Sequence, residues 1–538
     1  MSTFFHRVQG RPNAFEVDLP DLPAVARLGE TLAAWFGVKD TLTLSGDLGA
    51  GKTELARSIV RAFAGERYME VPSPTFPIIL GYDLPRGRVV HADLYRISSD
   101  EELDEIGWDE IGDDAFLLVE WADRAGGRLA PERLDIALAP APDLGPEARR
   151  ARLTGHGAVG ERLRRLAIAE ELVQASGFGA AGWRFLQGDA SARSYTELVL
   201  PGRSAILMNA PQRPDGPPVA RGRSYSRLVH LAEDVKPFVA MDRALISQGL
   251  SAPAIEAADL DAGLLVIEDL GREGVVAGTP PAPIKERYEA AIELLAELHG
   301  RVLPDLLPVA PRIDHALPSY DRDAFLAELD LMLDWYLPFR GSPVDAVVRE
   351  EFHLLWRNAL APLLAEPKTW VLRDYHSPNL IWMEEREGLR KVGLIDFQDA
   401  VLGPAAYDVV SLTQDARVDV PEALELHLVS HYVKHRRAQE PTFDTRSFAR
   451  SYATTGAQRA SKILGIFTRL DRRDGKPHYL RHLPRIRRYL ARSLGHPDLR
   501  SLKTWYEAVL PAKDLARNGE DGMSEAGKDQ TPARDAIP

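Results

Sequence analysis

Apolar residues first recur at helical spacing in DLPAVARLGETLAAWFG, residues 21–37. Leu22, Val25, Leu28 and Leu32 share one face there, and Gly37 closes the run, a pattern that predicts an amphipathic helix. The short apolar run TLTLSG reads as a strand entering a glycine turn, and Thr53 to Ala64 reads as the helix leaving it. Further strands are predicted at PIILGYDL, VVHADLYR, FLLVEW and RLDIALA. Ser99 followed three residues later by Glu102 is a capping box that opens a helix through Ile106. Strands alternating with helices predict a compact α/β domain over residues 1–160.

The pattern changes at APAPDLGPEARRARLTGHGAVG, residues 139–160, where proline, glycine and arginine concentrate. A domain boundary is expected near residue 160, although RRARLTGHG also reads as a final strand. WRFL, YTELVLPG and SAILMNA then predict three strands of a small antiparallel lobe. From about residue 283 the pattern turns mainly helical, interrupted by strand-like TWVLRD, NLIWM and VGLIDF. A second domain over 161–512 follows from this, with a disordered tail at 513–538 that is poor in apolar residues.

Composition adds exclusions. The chain has 538 residues, enough for several cores, and no apolar run long enough to span a bilayer. Zero cysteines exclude disulfides, thiolate metal sites and cysteine nucleophiles, and agree with a cytoplasmic location. A net charge of −13 argues against a broad basic surface that would bind RNA unaided.

The stretch GDLGAGKT matches G-x-x-x-x-G-K-[ST]. Gly46, Asp47, Leu48, Gly49, Ala50 and Gly51 form the turn whose N–H groups can cradle phosphate at the start of a helix. Lys52 offers a charge to the β- and γ-phosphates, and the Thr53 hydroxyl a ligand for Mg²⁺. A further carboxylate is needed near the metal. FLLVEW supplies Glu120 at a strand end, and HADLYR supplies Asp93 at another. Ser73-Pro74-Thr75-Phe76 is a rigid turn with hydroxyls suited to sensing a γ-phosphate.

In order, GDLGAGKT, SPTF, HADLYR and LLVEWADR resemble the TsaE family of bacterial ATPases, over about residues 15–157. The resemblance implies that Lys52 and Thr53 bind ATP–Mg²⁺ with Glu120 helping to hold the metal. It also implies that Thr75 belongs to a nucleotide-sensing segment, that Asp93 matters for ATP hydrolysis, and that Trp121 lies near the nucleotide. It implies TsaB and TsaD proteins as partners in tRNA threonylcarbamoylation, with tRNA reached only through them. A generic nucleotide kinase is the alternative, but no lid arginines are evident.

VLRDYHSPNLIW places Asn379 five residues after Asp374, and LIDFQDA places Asp396 seventeen residues further on. That order is the D-x-x-x-x-N and metal-binding aspartate pattern of kinases. The aspartate can orient an attacking hydroxyl, while Asn379 and Asp396 ligate Mg²⁺. These segments, with LIDFQDAVLGPAAYDVVSL, resemble aminoglycoside phosphotransferase-like kinases over about residues 165–510; GDASARSYTEL, LLVIEDLG and RDYHSPN are most similar to AmgK. The resemblance implies ATP-dependent phosphorylation of the anomeric hydroxyl of N-acetylmuramate and N-acetylglucosamine. It implies that Gly188, Ser191 and Ser194 cover the phosphates, that Glu268 and Leu270 form the hinge beside adenine, and that Asp408 braces the site. His376 is a candidate phosphate contact, and Asp334 with Trp335 candidate linings of the sugar cleft.

Two departures stand out. Leu372-Arg373 precede Asp374 where kinases have H-x-D, and AILMNAP leaves Asn209 where many keep a phosphate-binding lysine. AmgK-like proteins also lack that lysine, and Lys236 is one candidate replacement. The expected whole is an α/β P-loop NTPase domain followed by a bilobal, protein-kinase-like α+β domain, giving a bifunctional cytoplasmic enzyme. The alternatives for the second half are a kinase for aminoglycosides or other small alcohols, and a non-catalytic sugar-sensing module that regulates the ATPase.

Overall fold

The structure is a computed structural model and describes residues 5–111, 114–186, 193–212, 214–220 and 222–510. Its packing divides the chain elsewhere than at residue 160, into one unit of residues 1–213 with 253–269 and a second of 214–252 with 270–538.

The first unit contains an eight-stranded sheet. In chain order its elements are β1 (His6–Arg7), β2 (Ala14–Leu19), α1 (Leu22–Trp35), β3 (Thr41–Ser45), α2 (Lys52–Ala64), β4 (Ile79–Leu84), β5 (Gly87–Asp93), α3 (Asp100–Glu105), β6 (Ala115–Glu120), β7 (Leu134–Pro140) and β8 (Arg149–Gly155). The strand order is β1-β2-β8-β7-β3-β6-β5-β4. β7, β3, β6 and β5 run parallel, and antiparallel pairs flank them. AFLLVE in β6 is buried throughout, as a parallel strand covered on both faces must be. Asp21 caps α1, its Oδ1 accepting from the Ala24 amide at 2.9 Å. Val25, Leu28 and Leu32 enter the core as the spacing predicts, but Leu22 does not: it stands at the first helical position, 68% exposed. The Ser99 hydroxyl accepts from the Glu102 amide at the start of α3.

The proline- and arginine-rich passage is not a linker. Most of it forms the β7–β8 hairpin, and the chain passes directly into α4 (Ala158–Ala175). A Cβ on Gly155 would lie 2.5 Å from the Gly160 Cα, so this tight passage needs glycine. Next come β9 (Gly182–Leu186), β10 (Ser194–Leu200) and β11 (Arg203–Asn209), which form a five-stranded antiparallel sheet with strands Ile255–Asp259 and Leu264–Glu268. The two sheets share one core. Leu28, Leu32, Phe63, Leu163, Leu166, Trp183, Leu198, Leu207 and Val266 belong to a single buried cluster. Across it Trp35 and Trp183 lie 6.5 Å apart, Arg27 donates to the Gly179 carbonyl at 2.8 Å, and Arg86 stacks on both Phe63 and Phe185.

The second unit is mainly helical, with its core around Phe325, Leu329, Met332, Trp356, Leu464 and Trp505. Its 30-residue helix Thr445–Asp474 packs on helix Arg322–Leu331. The predicted strands are shorter than expected: Thr369–Val371 pairs with Val401–Gly403, and Leu380–Trp382 with Val392–Leu394. Among the described residues no helix is long and apolar enough to cross a membrane.

Candidate functional sites

At the first site the backbone does most of the shaping. β3 ends at Ser45, and Gly46, Gly49 and Gly51 then take positive φ (134°, 79° and 99°) before α2 begins at Lys52, one residue earlier than predicted. At Gly46 a Cβ would fall 2.3 Å from the Leu138 carbonyl oxygen, so only glycine fits. Asp47, Leu48 and Gly49 are exposed at the turn, while Ala50 is buried beneath it.

Lys52 folds back over the loop, donating to the Gly46 and Asp47 carbonyls at 2.8 and 2.9 Å, with its ammonium 3.9 Å from the centre of the Trp121 ring. Burial pushes its pKa down, opposed by the carboxylates of Glu120, Asp93 and Asp47. Parallel pairing sets Asp93 directly opposite Glu120, and Glu120 opposite Leu44 near the end of β3. The register thus brings both carboxylates to the strand ends beside the loop.

Glu120 Oε2 accepts from the Thr53 hydroxyl at 2.9 Å, and its Oε1 lies 2.9 Å from His91 Nε2 in a buried pair. Asp93 Oδ2 accepts from Thr75 Oγ1 at 3.0 Å, Thr75 lies 2.8 Å from the Ser73 hydroxyl, and Asp93 Oδ1 accepts from the Tyr95 amide. The expected residues Lys52, Thr53, Thr75, Asp93, Glu120 and Trp121 therefore form one connected cluster. His91 was missed. Its signal was its place in HADLYR, two residues before Asp93 and so on the same face of the strand.

At the second site two chain segments, VLRDYHSPNLIW and LIDFQDA, meet within one unit. The Asn379 side-chain amide donates to the Asp374 carbonyl at 2.9 Å and to Asp396 Oδ2 at 3.4 Å. Gln398 Nε2 donates to Asp396 Oδ1 at 2.9 Å. Leu372, Asp374, Tyr375, Asn379, Leu394 and Phe397 line a small cavity here. Arg373 and Asp396 both hold positive φ, at 65° and 61°, a strained conformation of the kind that gathers at functional sites.

Arg373 turns away from the site. It donates to Glu328 Oε1 at 2.6 Å and to the Val229 carbonyl at 2.7 Å, all buried. Lys462 donates to the same Glu328 oxygen at 2.7 Å, and Gln458 and Tyr320 donate to the other. Burial alone would raise the Glu328 pKa, but Lys462 and Arg373 outweigh it and hold it at about 2. The departure from H-x-D thus places a buried ion cluster directly behind the loop. Asp408 grips the same loop: its carboxylate accepts from the Leu372 and Arg373 amides at 2.6 and 3.0 Å. Burial raises its pKa to about 7 against the pull of those two amides.

Other candidates fall differently. His376 is buried beside Asp374, and burial lowers its pKa. Asp334 pairs with Arg349. Lys236, offered as the missing cation, is bonded to Asp234 at 3.1 Å. Asn209 shares its strand face with core residue Leu207, accepts from Arg165 at 2.6 Å and donates to Ser194. Glu268 ends its strand with its carboxylate accepting from the Ala254 amide, and Leu270 is buried in the other unit. Gly188 and Ser191 lie outside the described residues.

Two family models match separate stretches, "Threonylcarbamoyl adenosine biosynthesis protein TsaE" over residues 19–149 and "Phosphotransferase enzyme family" over residues 182–441. The N-acetylmuramate/N-acetylglucosamine kinase of Caulobacter vibrioides is 38% identical over 365 residues, covering 65% of this chain and 98% of that protein. The tRNA threonylcarbamoyladenosine biosynthesis protein TsaE of Rickettsia prowazekii is 37% identical over 99 residues, covering 18% of this chain and 68% of that protein. The chain belongs to both families. It is an ATP-using enzyme with a TsaE part and a kinase part. A second kinase relative, from Pseudomonas aeruginosa, is 32% identical over 322 residues and covers 58% of this chain and 84% of its own length.

Proposed function

We propose that the kinase part transfers the γ-phosphoryl of ATP to the anomeric hydroxyl of N-acetylmuramate or N-acetylglucosamine in cell-wall recycling. The TsaE part hydrolyses ATP in support of tRNA N6-threonylcarbamoyladenosine formation. The observation that carries the kinase reading is the Asn379 amide bonded to both Asp374 and Asp396. A pure sugar-sensing module has no need of that arrangement.

In this reading Asp374 orients the sugar hydroxyl and accepts its proton as the oxygen attacks phosphorus. Asn379 and Asp396 offer oxygen donors that suit a hard cation such as Mg²⁺, as do Thr53 and Glu120 in the other part. When bound, the cation neutralises phosphate charge. Lys52 and the loop amides position the nucleotide of the TsaE part, and His91 fixes the orientation of Glu120. TsaB- and TsaD-like proteins are the proposed partners, contacting tRNA on this chain's behalf in the cytoplasm.

The test uses the full chain, because α1 and β9 share a core that cutting near residue 160 would open. The chain is incubated with ATP–Mg²⁺ and N-acetylmuramate, N-acetylglucosamine or aminoglycosides, and products are read by phosphorus NMR. Anomeric phosphate that disappears in Asp374→Asn is expected; phosphorylation of aminoglycosides alone overturns the sugar assignment. For the TsaE part, the chain should restore tRNA threonylcarbamoylation in cells lacking TsaE, and Lys52→Ala should not. Failure of the unmodified chain to do so overturns that half.

A further inference from the structure

Helix Lys285–His299 and helix Glu422–Gln439 pack together in the second unit. Their facing stripes repeat every four residues, with Glu289, Glu293 and Glu297 on one and His427, His431 and His435 on the other. Such spacing puts each set on one helical face. His427 Nε2 lies 2.5 Å from Glu289 Oε1, and Gln439 donates to Glu297 at 2.7 Å. The middle rung differs. His431 Nε2 and His435 Nε2 both converge on Glu293 Oε1, at 2.8 and 3.6 Å, with their rings 4.6 Å apart.

We propose that Glu293, His431 and His435 form a binding site for a divalent transition-metal ion of the zinc class, separate from the nucleotide sites. The three ligand atoms lie within 4.8 Å of one another. A tetrahedral zinc ion with bonds of about 2.0–2.1 Å needs ligand atoms roughly 3.3 Å apart, and the two measured contacts bracket that spacing. Two imidazoles meeting on one oxygen exceed what a hydrogen bond or ion pair needs, since one protonated histidine would satisfy it. The donors are partly exposed, with Glu293 at 39% and His435 at 32%, so water can complete the coordination. In a chain without cysteine, imidazole and carboxylate are the donors left for such an ion.

The site would tie helix Glu422–Gln439 to helix Lys285–His299, which reaches the kinase loop. Ala291, between Glu289 and Glu293, accepts from the Tyr375 hydroxyl at 2.7 Å through its carbonyl, and Tyr375 follows Asp374. Bound metal would therefore raise the stability of the unit that carries the kinase residues.

The experiment treats the nucleotide-free full chain with EDTA, exchanges it into chelator-free buffer at about pH 7.5, and titrates zinc chloride by calorimetry and thermal unfolding. One zinc ion per chain and a raised melting temperature are expected, with no such shift from equal Mg²⁺. Affinity should fall at least about tenfold in His431→Gln, His435→Gln and Glu293→Gln, and stay within about threefold in His427→Gln, which lies one rung away. Zinc binding weaker than about 100 µM, or affinity unchanged in the His431→Gln/His435→Gln double variant, overturns the proposal. Melting temperatures in EDTA show whether each variant is folded.

Discussion

In the TsaE part the groups proposed to hold phosphate come from one unbroken stretch, Gly46 to Thr53, whereas the kinase part brings Asp374 and Asn379 together with Asp396 from a second segment seventeen residues on. The first site is shaped by glycine φ angles and by strand register, which sets Asp93 opposite Glu120. The second is shaped by buried side chains behind it: Glu328 between Arg373 and Lys462, and Asp408 under two loop amides. A backbone cradle is a local device and travels with its motif. A side-chain constellation depends on distant support, so its weak points lie away from the chemistry.

The crossed variants should give the largest effect. Lys52→Ala should lower ATP hydrolysis by the TsaE part by about 10³-fold and leave sugar phosphorylation within about twofold. Asp374→Asn should do the reverse. Steady-state assays of both activities in both variants decide this; loss of both activities in either variant would break the comparison.

Glu328→Gln comes next. It strips the shared counter-charge from Arg373 and Lys462, which should cost the kinase part about 3–5 kcal/mol. Denaturant unfolding should show that loss while ATP hydrolysis persists. Trp183→Ala tests the opposite expectation. Trp183 belongs to the core that both sheets share, so a loss of about 3–5 kcal/mol should weaken the TsaE sheet along with β9–β11. An unfolding transition in which the TsaE part is untouched would show that the common core does not bind the two sheets energetically.

Asp408 gives the smallest and most specific effect. Its folded pKa of about 7 lies above the ordinary carboxyl value of 3.8. The folded state therefore holds its proton more tightly than the unfolded state, and this contribution is fully present below about pH 4 and lost as pH rises through about 7. Asp408→Asn should remove up to about 1.4 kcal/mol per pH unit of that slope between those limits. The substitution also leaves one loop amide without its carboxylate acceptor, so kcat should fall while ATP hydrolysis by the TsaE part does not.

The periodicities of α1 and α2, the buried run of β6 and the glycine loop follow from local rules, and they are legible in the chain. So is the order of the kinase aspartates, because five- and seventeen-residue spacings are properties of sequence. Leu22 shows the limit: helical spacing placed it on the apolar face, yet a first-turn position points it to water. The passage at 139–160 shows another, since a composition suited to a linker also suits a hairpin, and only β7–β8 pairing distinguishes the two.

Sequence alone determined the two motifs, their families and the helices and strands that carry them, because backbone conformation and near-neighbour spacing encode those. Tertiary structure decided which carboxylates meet Thr53, that His91 orients Glu120, that Arg373 turns to Glu328, that two expected domains share a core, and that His431 and His435 meet Glu293. Each of these joins residues distant in the chain, and the pairing is set by strand register and helix packing, which no local pattern specifies.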